Sequence, residues 1–249
     1  MIINIGLLKK LCRNFGLSVG IRLFIQISIG KIEKLNVPKI AHPIKLRVNT
    51  SDLPTFYQVF LNNEYKINFP FEPKLIIDAG ANIGLFTLKM KNNYDDAKII
   101  CLEPDVDNFN ILLQNVANYN DIYCENCGLW NKDTRLNIND KYDMGKWGMV
   151  VNEDINGSIK ATSIPSILTK FNIDFIDILK LDIETSEKIL FSENYESWLP
   201  KIKIIIIELH DWMEIGCAKP FFIAINKCMK NYEYSIVGEN TIIFNRDII

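Results

Sequence analysis

From Lys74 to the end of the chain, short apolar runs alternate with stretches of helical periodicity. The runs at 75–79, 98–103, 121–127, 176–182 and 202–209 predict strands; the stretches at 84–91, 106–118, 164–171, 187–198 and 219–231 predict helices. Strand and helix in alternation imply a parallel sheet with helices on both faces. The run KIKIIIIEL carries five isoleucines and no polar alternation, as expected of a central strand buried on both sides. Near the end, YEYSIV and NTIIFN are separated only by Gly238 and Glu239. That spacing predicts a tight hairpin, so the last two strands should run antiparallel.

The first part of the chain has a different texture. Residues 1–45 place Leu7, Leu8, Leu11 and Phe15 at helical spacing, until Pro38 and Pro43 interrupt the pattern. Next, Ser51 or Asp52 is positioned to cap a helix that has Pro54 in its first turn and Phe56, Val59 and Phe60 on one face. Pro70 and Pro73 close this lead-in. The expected organisation is a helical N-terminal extension over 1–70 and an α/β domain over 71–249, built on a mostly parallel seven-stranded sheet. Within it, residues 135–160 hold Gly145, Gly148 and Gly157 and little periodicity, which predicts an insertion over the site, a β-ribbon or a lid.

Composition narrows the options. The chain has 249 residues, 48% hydrophobic and 23% charged, enough for one substantial core. Its net charge of −2 shows none of the basic excess of a nucleic-acid binder. The set Lys9, Lys10, Arg13, Arg22, Lys31 and Lys34 fits the solvated side of amphipathic helices; a membrane-surface or partner contact is the alternative. The apolar segment LSVGIRLFIQISIG is broken by Arg22 and falls short of the roughly 18–20 residues of a transmembrane span. Six cysteines in a chain this size make no disulfide framework, and reduced thiols fit a cytoplasmic protein. Cys124-x-x-Cys127 is at most half a zinc site: there is no second such pair, and histidine occurs only at His42 and His210.

The stretch LIIDAGANIGLFTLKM carries the first chemical signal. Its turn, Gly80-x-x-x-Gly84 with Asn82 between, joins the first strand to the first helix of the α/β region. Such a turn sets backbone N–H groups and a helix N-terminus at the strand's carboxyl end. It is neither a G-x-G-x-x-G dinucleotide fingerprint nor a Walker A loop. The carboxylate of Asp78 ahead of the turn would repel a pyrophosphate and suit a ligand with a cationic end. Glu103, 19 residues after Gly84 and at the end of the second strand, is placed to accept hydrogen bonds from both ribose hydroxyls. A nucleoside with a cationic tail and no phosphate describes S-adenosylmethionine.

Five segments in order, RVNTSDLPTFYQVFLNNEY, LIIDAGANIGLFTLKM, CLEPDVDNFNILLQN, DILKLDIETSEKIL and WLPKIKIIIIELHD, resemble the FkbM-type methyltransferases from Arg47 to the C-terminus. The resemblance implies a Rossmann-like methyltransferase fold. It also implies an S-adenosylmethionine-dependent enzyme that usually methylates a hydroxyl of a sugar, a surface glycan or a related metabolite. On this reading Asp78, Gly80, Ala81, Asn82, Gly84, Glu103, Pro104, Asn108 and Asp182 form the cofactor set, with Asn108 reaching adenine or capping its helix. One departure stands out. Where the family commonly has Glu-Gly-Ala-Glu, this chain has Glu184-Thr185-Ser186-Glu187, which removes a glycine's backbone freedom beside the reaction centre.

Methyl transfer to a hydroxyl needs alignment and a group that takes the acceptor's proton. Asp182 and Glu184 end one strand, and Glu208 and His210 end the next. Residues two apart share a face of an extended strand, so each pair can point into one cleft. His210 is the preferred general base, because imidazole titrates near neutral pH; Glu184 orients the acceptor, and Glu208 joins them in the catalytic set. The same four side chains also form a possible magnesium or manganese site, to which no metal ligand is assigned here. Glu64 and Tyr65 are placed to cover the cofactor, and Trp130, Trp147 and Trp212 fall near predicted loops, where packing is their commoner use. Competing readings are an RNA methyltransferase, a non-catalytic cofactor-binding protein that meets a partner through residues 1–45, and an NAD enzyme.

Overall fold

The computed structural model describes residues 5–29, 34–47, 49–62, 64–139 and 150–249. Helices α1 (Ile5–Phe15) and α2 (Leu17–Ile29) open the chain. Gly16, at φ +83, turns one into the other, and Gly20 packs where a Cβ would lie 2.6 Å from the Cys12 backbone. The helical expectation for residues 1–45 holds only to Ile29; beyond the undescribed residues the chain is extended, bridging Leu35 to Ile44 around Pro38 and Pro43. Of the basic set, Lys9, Lys10, Arg13, Arg22 and Lys34 are exposed, whereas Lys31 lies outside the described residues. The outer face of α2 also exposes Leu17, Ile21, Ile25 and Ile29.

Helix α3 (Asp52–Phe56) continues into a π-helical turn, Tyr57–Leu61. Neither Ser51 nor Asp52 caps it through a side chain. Asp52 is fully buried and instead takes the Arg47 guanidinium at 2.7 Å and the Arg47 backbone N–H at 2.7 Å, a stronger pairing for a carboxylate than a neutral cap. Phe56 and Val59 are buried, as their spacing predicts.

The main sheet contains β1 (Leu75–Ala79), β2 (Lys98–Leu102), β3 (Ile122–Glu125), β8 (Ile176–Leu181), β9 (Ile202–Glu208), β10 (Tyr232–Val237) and β11 (Asn240–Asn245). Its order is β10-β11-β9-β8-β1-β2-β3. β3, β2, β1, β8 and β9 run parallel, and β11 is antiparallel to both β9 and β10. Helices α4 (Leu85–Asn93), α5 (Val106–Val116), α6 (Ile164–Phe171) and α8 (Ala218–Cys228) make the crossovers. Consecutive isoleucines go to opposite faces of the sheet. Ile76, Ile99, Ile178, Ile204 and Ile206 pack with Leu11, Leu23, Phe56 and Val59 of the lead-in. Ile77, Ile100, Leu179, Ile205 and Ile207 pack with Trp198 and Phe221. This is the physical basis of the uninterrupted isoleucine run.

Two expected boundaries are corrected. The helix expected over 187–198 is only α7 (Glu187–Leu190). Asn194 turns the chain at φ +61, and Phe191, Tyr195 and Trp198 are buried on the irregular path to a 3₁₀ turn at Leu199–Lys201. The strand expected over 121–127 stops at Glu125, after which β4 (Gly128–Leu129) leaves for a second sheet. That sheet adds β5 (Thr134–Asn139), β6 (Val150–Glu153) and β7 (Ile159–Thr162) in the order β4-β7-β5-β6. The described part of the 135–160 insertion is thus β-structure; residues 140–149, with Gly145, Trp147 and Gly148, lie outside the described residues.

Candidate active site

The sheet reverses its order at β1, which has β2 on one side and β8 on the other. A crevice opens at the carboxyl ends of strands at such a point. Gly80 sits there at φ +73, with its Cα so close to β8 that a Cβ would lie 1.7 Å from the Asp182 carbonyl oxygen. Asn82, at φ +50, continues the turn, and its backbone N–H donates to Glu103 Oε2 at 2.7 Å. The Asn82 Oδ1 is buried with no hydrogen-bond partner. Gly84, at φ +86, faces α5 instead: a Cβ would lie 2.6 Å from Leu112 Cδ1. Its role is to let α4 start against α5, not to line the crevice.

Two adjoining cavities occupy the crevice. The first is bounded by Gly80, Asn82, Glu103, Pro104, Asn108, Gly128 and Leu129. The second is bounded by Gln58, Glu64, Tyr65, Ala81, Lys180, Glu208, His210 and Trp212. Gly80, Asn82, Asp182 and Glu184 border both.

Asp78 does not reach either cavity. It is fully buried beneath the turn, where Oδ2 accepts from Thr87 Oγ1 at 2.7 Å and Oδ1 lies 3.4 Å from Lys180 Nζ. The expectation of direct ligand contact is therefore corrected: Asp78 holds Lys180, and Lys180 holds the turn by donating to the Gly80 carbonyl at 2.7 Å. Burial disfavours the Lys180 charge, but Asp78 and Asp182 more than offset it and raise the pKa. Asn108 is not a cap either. Asp105 caps α5 by accepting from the Asn108 backbone N–H at 2.8 Å, and Asn108 Oδ1 accepts from Arg47 at 2.6 Å. Glu103 accepts from Asn82 and Asp105 N–H groups; burial nonetheless lifts its carboxyl to about 7.

At the other end, β8 and β9 bring together the two expected pairs. His210 Nε2 lies 3.6 Å from Asp182 Oδ1, 3.5 Å from Glu184 Oε2 and 3.6 Å from Glu208 Oε1. Its Nδ1–H donates to Glu187 Oε1 at 3.0 Å. Burial lifts Glu184 to about 9 and Glu208 to about 8, each helped by the charge of Asp182. Burial alone would lower His210, but the Glu187 hydrogen bond and the surrounding carboxylates raise it to about 10. An imidazole so placed keeps its proton at neutral pH, and the residue is only 2% exposed. It does not have the free lone pair that the expected general base requires.

Glu184 and Thr185 adopt φ +50 and +72. The position where the family commonly carries glycine thus keeps a glycine-like backbone while bearing a β-branched side chain, a strained combination. Trp130 is 4% exposed and packs in the small sheet's core, whereas Trp212 is 64% exposed at the mouth of the second cavity. Glu64 and Tyr65 both border that cavity. Cys124 neighbours Cys101 across β2 and β3 rather than forming a metal site with Cys127; among the described residues the metal-type cluster is Asp182, Glu208 and His210. Sequence reasoning missed Arg47, Lys180 and Glu187. Lys180, a lysine inside a mostly apolar strand, carried a usable signal; the other two act through contacts distant in sequence.

The sheet order, the crevice at its reversal and the antiparallel closing strands define a Rossmann-like methyltransferase fold. The chain belongs to the FkbM methyltransferase family, whose Methyltransferase FkbM domain matches residues 78–236. It is similar to "Methyltransferase 1" of Beauveria bassiana, 26% identical over 180 residues, which is 62% of this chain and 72% of that protein. Methyltransferase sdnD of Sordaria araneosa is 44% identical over 63 residues, covering 25% of this chain and 24% of sdnD. Among solved structures, the methyltransferase FkbM of Methylobacillus flagellatus KT superposes with a TM-score of 0.53 at 15% identity, over 97% of this chain and 58% of that one. The chain thus spans under two thirds of two of these three relatives.

Proposed function

We propose that this chain is an S-adenosylmethionine-dependent O-methyltransferase whose acceptor is a hydroxyl of a sugar, a surface glycan or a related metabolite. The observation that carries the reading is one continuous crevice with two unlike halves, joined at Gly80, Asn82, Asp182 and Glu184. The first half fits an adenosyl group. Gly80 lines it, Glu103 offers a carboxylate to ribose hydroxyls, and the buried Asn82 Oδ1 lacks the donor that a polar ligand would supply. Asp182, on the boundary, suits the ammonium of the methionine end. When bound, the cofactor supplies a methyl group activated on a sulfonium.

The second half fits a polyhydroxylated acceptor. Its carboxylates accept hydroxyl hydrogen bonds, and the exposed face of Trp212 at the mouth can stack on a sugar ring. The chain's net charge of −2 lacks the basic excess that a phosphate backbone calls for, which favours a small-molecule or glycan acceptor over RNA. Glu184 orients the acceptor: it borders both halves, and its Oε2 is buried with no hydrogen-bond partner, open to an acceptor hydroxyl. Among the described residues no helix is long and apolar enough to cross a membrane. A cytoplasmic location is proposed on the six free cysteines.

The test is a screen of glycan and sugar-nucleotide acceptors with S-adenosylmethionine, read as a mass gain of one methylene. A product labile to demethylation of an ether supports the reading. Methylation confined to RNA, or to nitrogen, contradicts it.

A further inference from the structure

We infer that α1 and α2 form an anchor for an anionic membrane surface. The outer row of α2, Leu17, Ile21, Ile25 and Ile29, enters the acyl boundary of the bilayer, and the basic residues of the lead-in meet lipid phosphates. The inference concerns the lead-in alone and does not rest on the identity of the acceptor.

Helix α2 is apolar on two opposite sides. On one side Gly20 packs against Cys12 of α1, and Leu23 is fully buried in the core that holds Leu11 and Phe56. On the other, Leu17, Ile21, Ile25 and Ile29 recur every fourth residue and are between 41% and 72% exposed. Residues four apart on a helix are neighbours, so the four side chains make one continuous row. A helix on the surface of a globular protein has one apolar stripe and a polar back. In α2 the back is aliphatic too, and Arg22 is its one charged residue. A continuous exposed row of this kind marks an interaction surface, which singly scattered leucines do not. The helix has 13 residues, about 20 Å at 1.5 Å per residue, against a hydrocarbon core of roughly 30 Å. It fits along a membrane surface, not across a bilayer.

Charge decides what covers the row. Residues 1–45 hold eight lysines and arginines against one acid, Glu33, a balance of +7; the net charge of −2 therefore leaves −9 on the rest of the chain. Lys9 and Arg13 stand one turn apart on α1, and both are exposed, as are Arg22 on α2 and Lys34 and Lys39 beyond it. Segregation of this sign attracts an anionic surface. A second copy of the chain would set +7 against +7. An RNA would pair with the charges but leave the aliphatic row in water. A bilayer with anionic headgroups satisfies both, because long cationic side chains reach the phosphates while the aliphatic row sinks below them.

The test sediments the full chain with vesicles of phosphatidylcholine alone, and of phosphatidylcholine with about one-third phosphatidylglycerol, at about 0.1 M salt. Binding at least about tenfold tighter to the anionic vesicles is expected, with loss of that preference at about 0.5 M salt. Leu17→Ser and Ile29→Ser together alter the two most exposed members of the row. That double variant should keep the melting temperature and bind the anionic vesicles about tenfold more weakly or worse. Lys9→Glu with Arg13→Glu should cost about tenfold on anionic vesicles and little on neutral ones. No sedimentation with anionic vesicles overturns the inference, as does full binding by the folded serine double variant. Analytical ultracentrifugation without lipid reads the rival occupant. A monomer is expected; a dimer that the serine variant dissociates assigns the row to a second copy and overturns the membrane assignment.

Discussion

Single residues set the geometry of the crevice, and several can be tested singly. At Gly80 a Cβ would meet the Asp182 carbonyl at 1.7 Å, so Gly80→Ala must push β1 and β8 apart. A loss of about 3 kcal/mol or more in urea unfolding is expected, together with loss of cofactor binding. Thr185 carries the opposite signal. Its φ of +72 is costly for a β-branched residue, and Thr185→Gly should raise stability by about 1 kcal/mol, read as an increase in the denaturation midpoint. Glu103 makes a pH prediction. Its carboxyl titrates at about 7 in the free chain, and a ribose needs it ionised. Protonation competes with the ligand, so affinity for S-adenosylhomocysteine should fall as pH drops and be about tenfold weaker at pH 6 than at pH 8. Glu103→Gln should flatten that dependence. Glu184→Ala should cut kcat/KM for the acceptor by about 100-fold or more while changing cofactor affinity only a few-fold, a split that separates acceptor orientation from cofactor binding.

At the scale of elements, periodicity made the α/β region readable. β1, β2, β8 and β9 fall within a residue or so of the runs that predict them, because strands buried on both faces leave unbroken apolar segments. The closing hairpin was legible from Gly238 and Glu239, and Gly238 does turn at φ +62. The stretch after Glu187 was not. Phe191, Tyr195 and Trp198 have helical spacing, but they are buried by an irregular loop that Asn194 initiates. The site was legible to the extent that it lies on strand ends: Asp182, Glu184, Glu208 and His210 meet as their two-residue spacing implies. What each does was not, because it depends on partners remote in sequence. Lys180 draws Asp78 away from the crevice, Arg47 occupies Asn108, and Glu187 fixes His210. Helix α5 offers a check on one such correction. If Asp105 is its cap, Asp105→Ala should cost about 1 kcal/mol of stability in thermal or urea unfolding.

For the whole molecule, the lead-in and the sheet form one body. Leu11, Phe56 and Val59 share a core with Ile76 and Ile99, so the described part of the lead-in covers one face of the sheet while also supplying Gln58 to the second cavity. The other face is closed by Trp198, Phe221 and α8. The catalytic end is accordingly built from three separate parts of the chain: the lead-in, the glycine turn, and the ends of β8 and β9. The account turns on the first half of the crevice holding an adenosyl group without phosphate. Its most direct test is calorimetric titration of the purified chain with S-adenosylhomocysteine and, separately, with NAD. Saturable binding of one S-adenosylhomocysteine per chain and no heat from NAD is the predicted result; binding of NAD with no response to S-adenosylhomocysteine would contradict it.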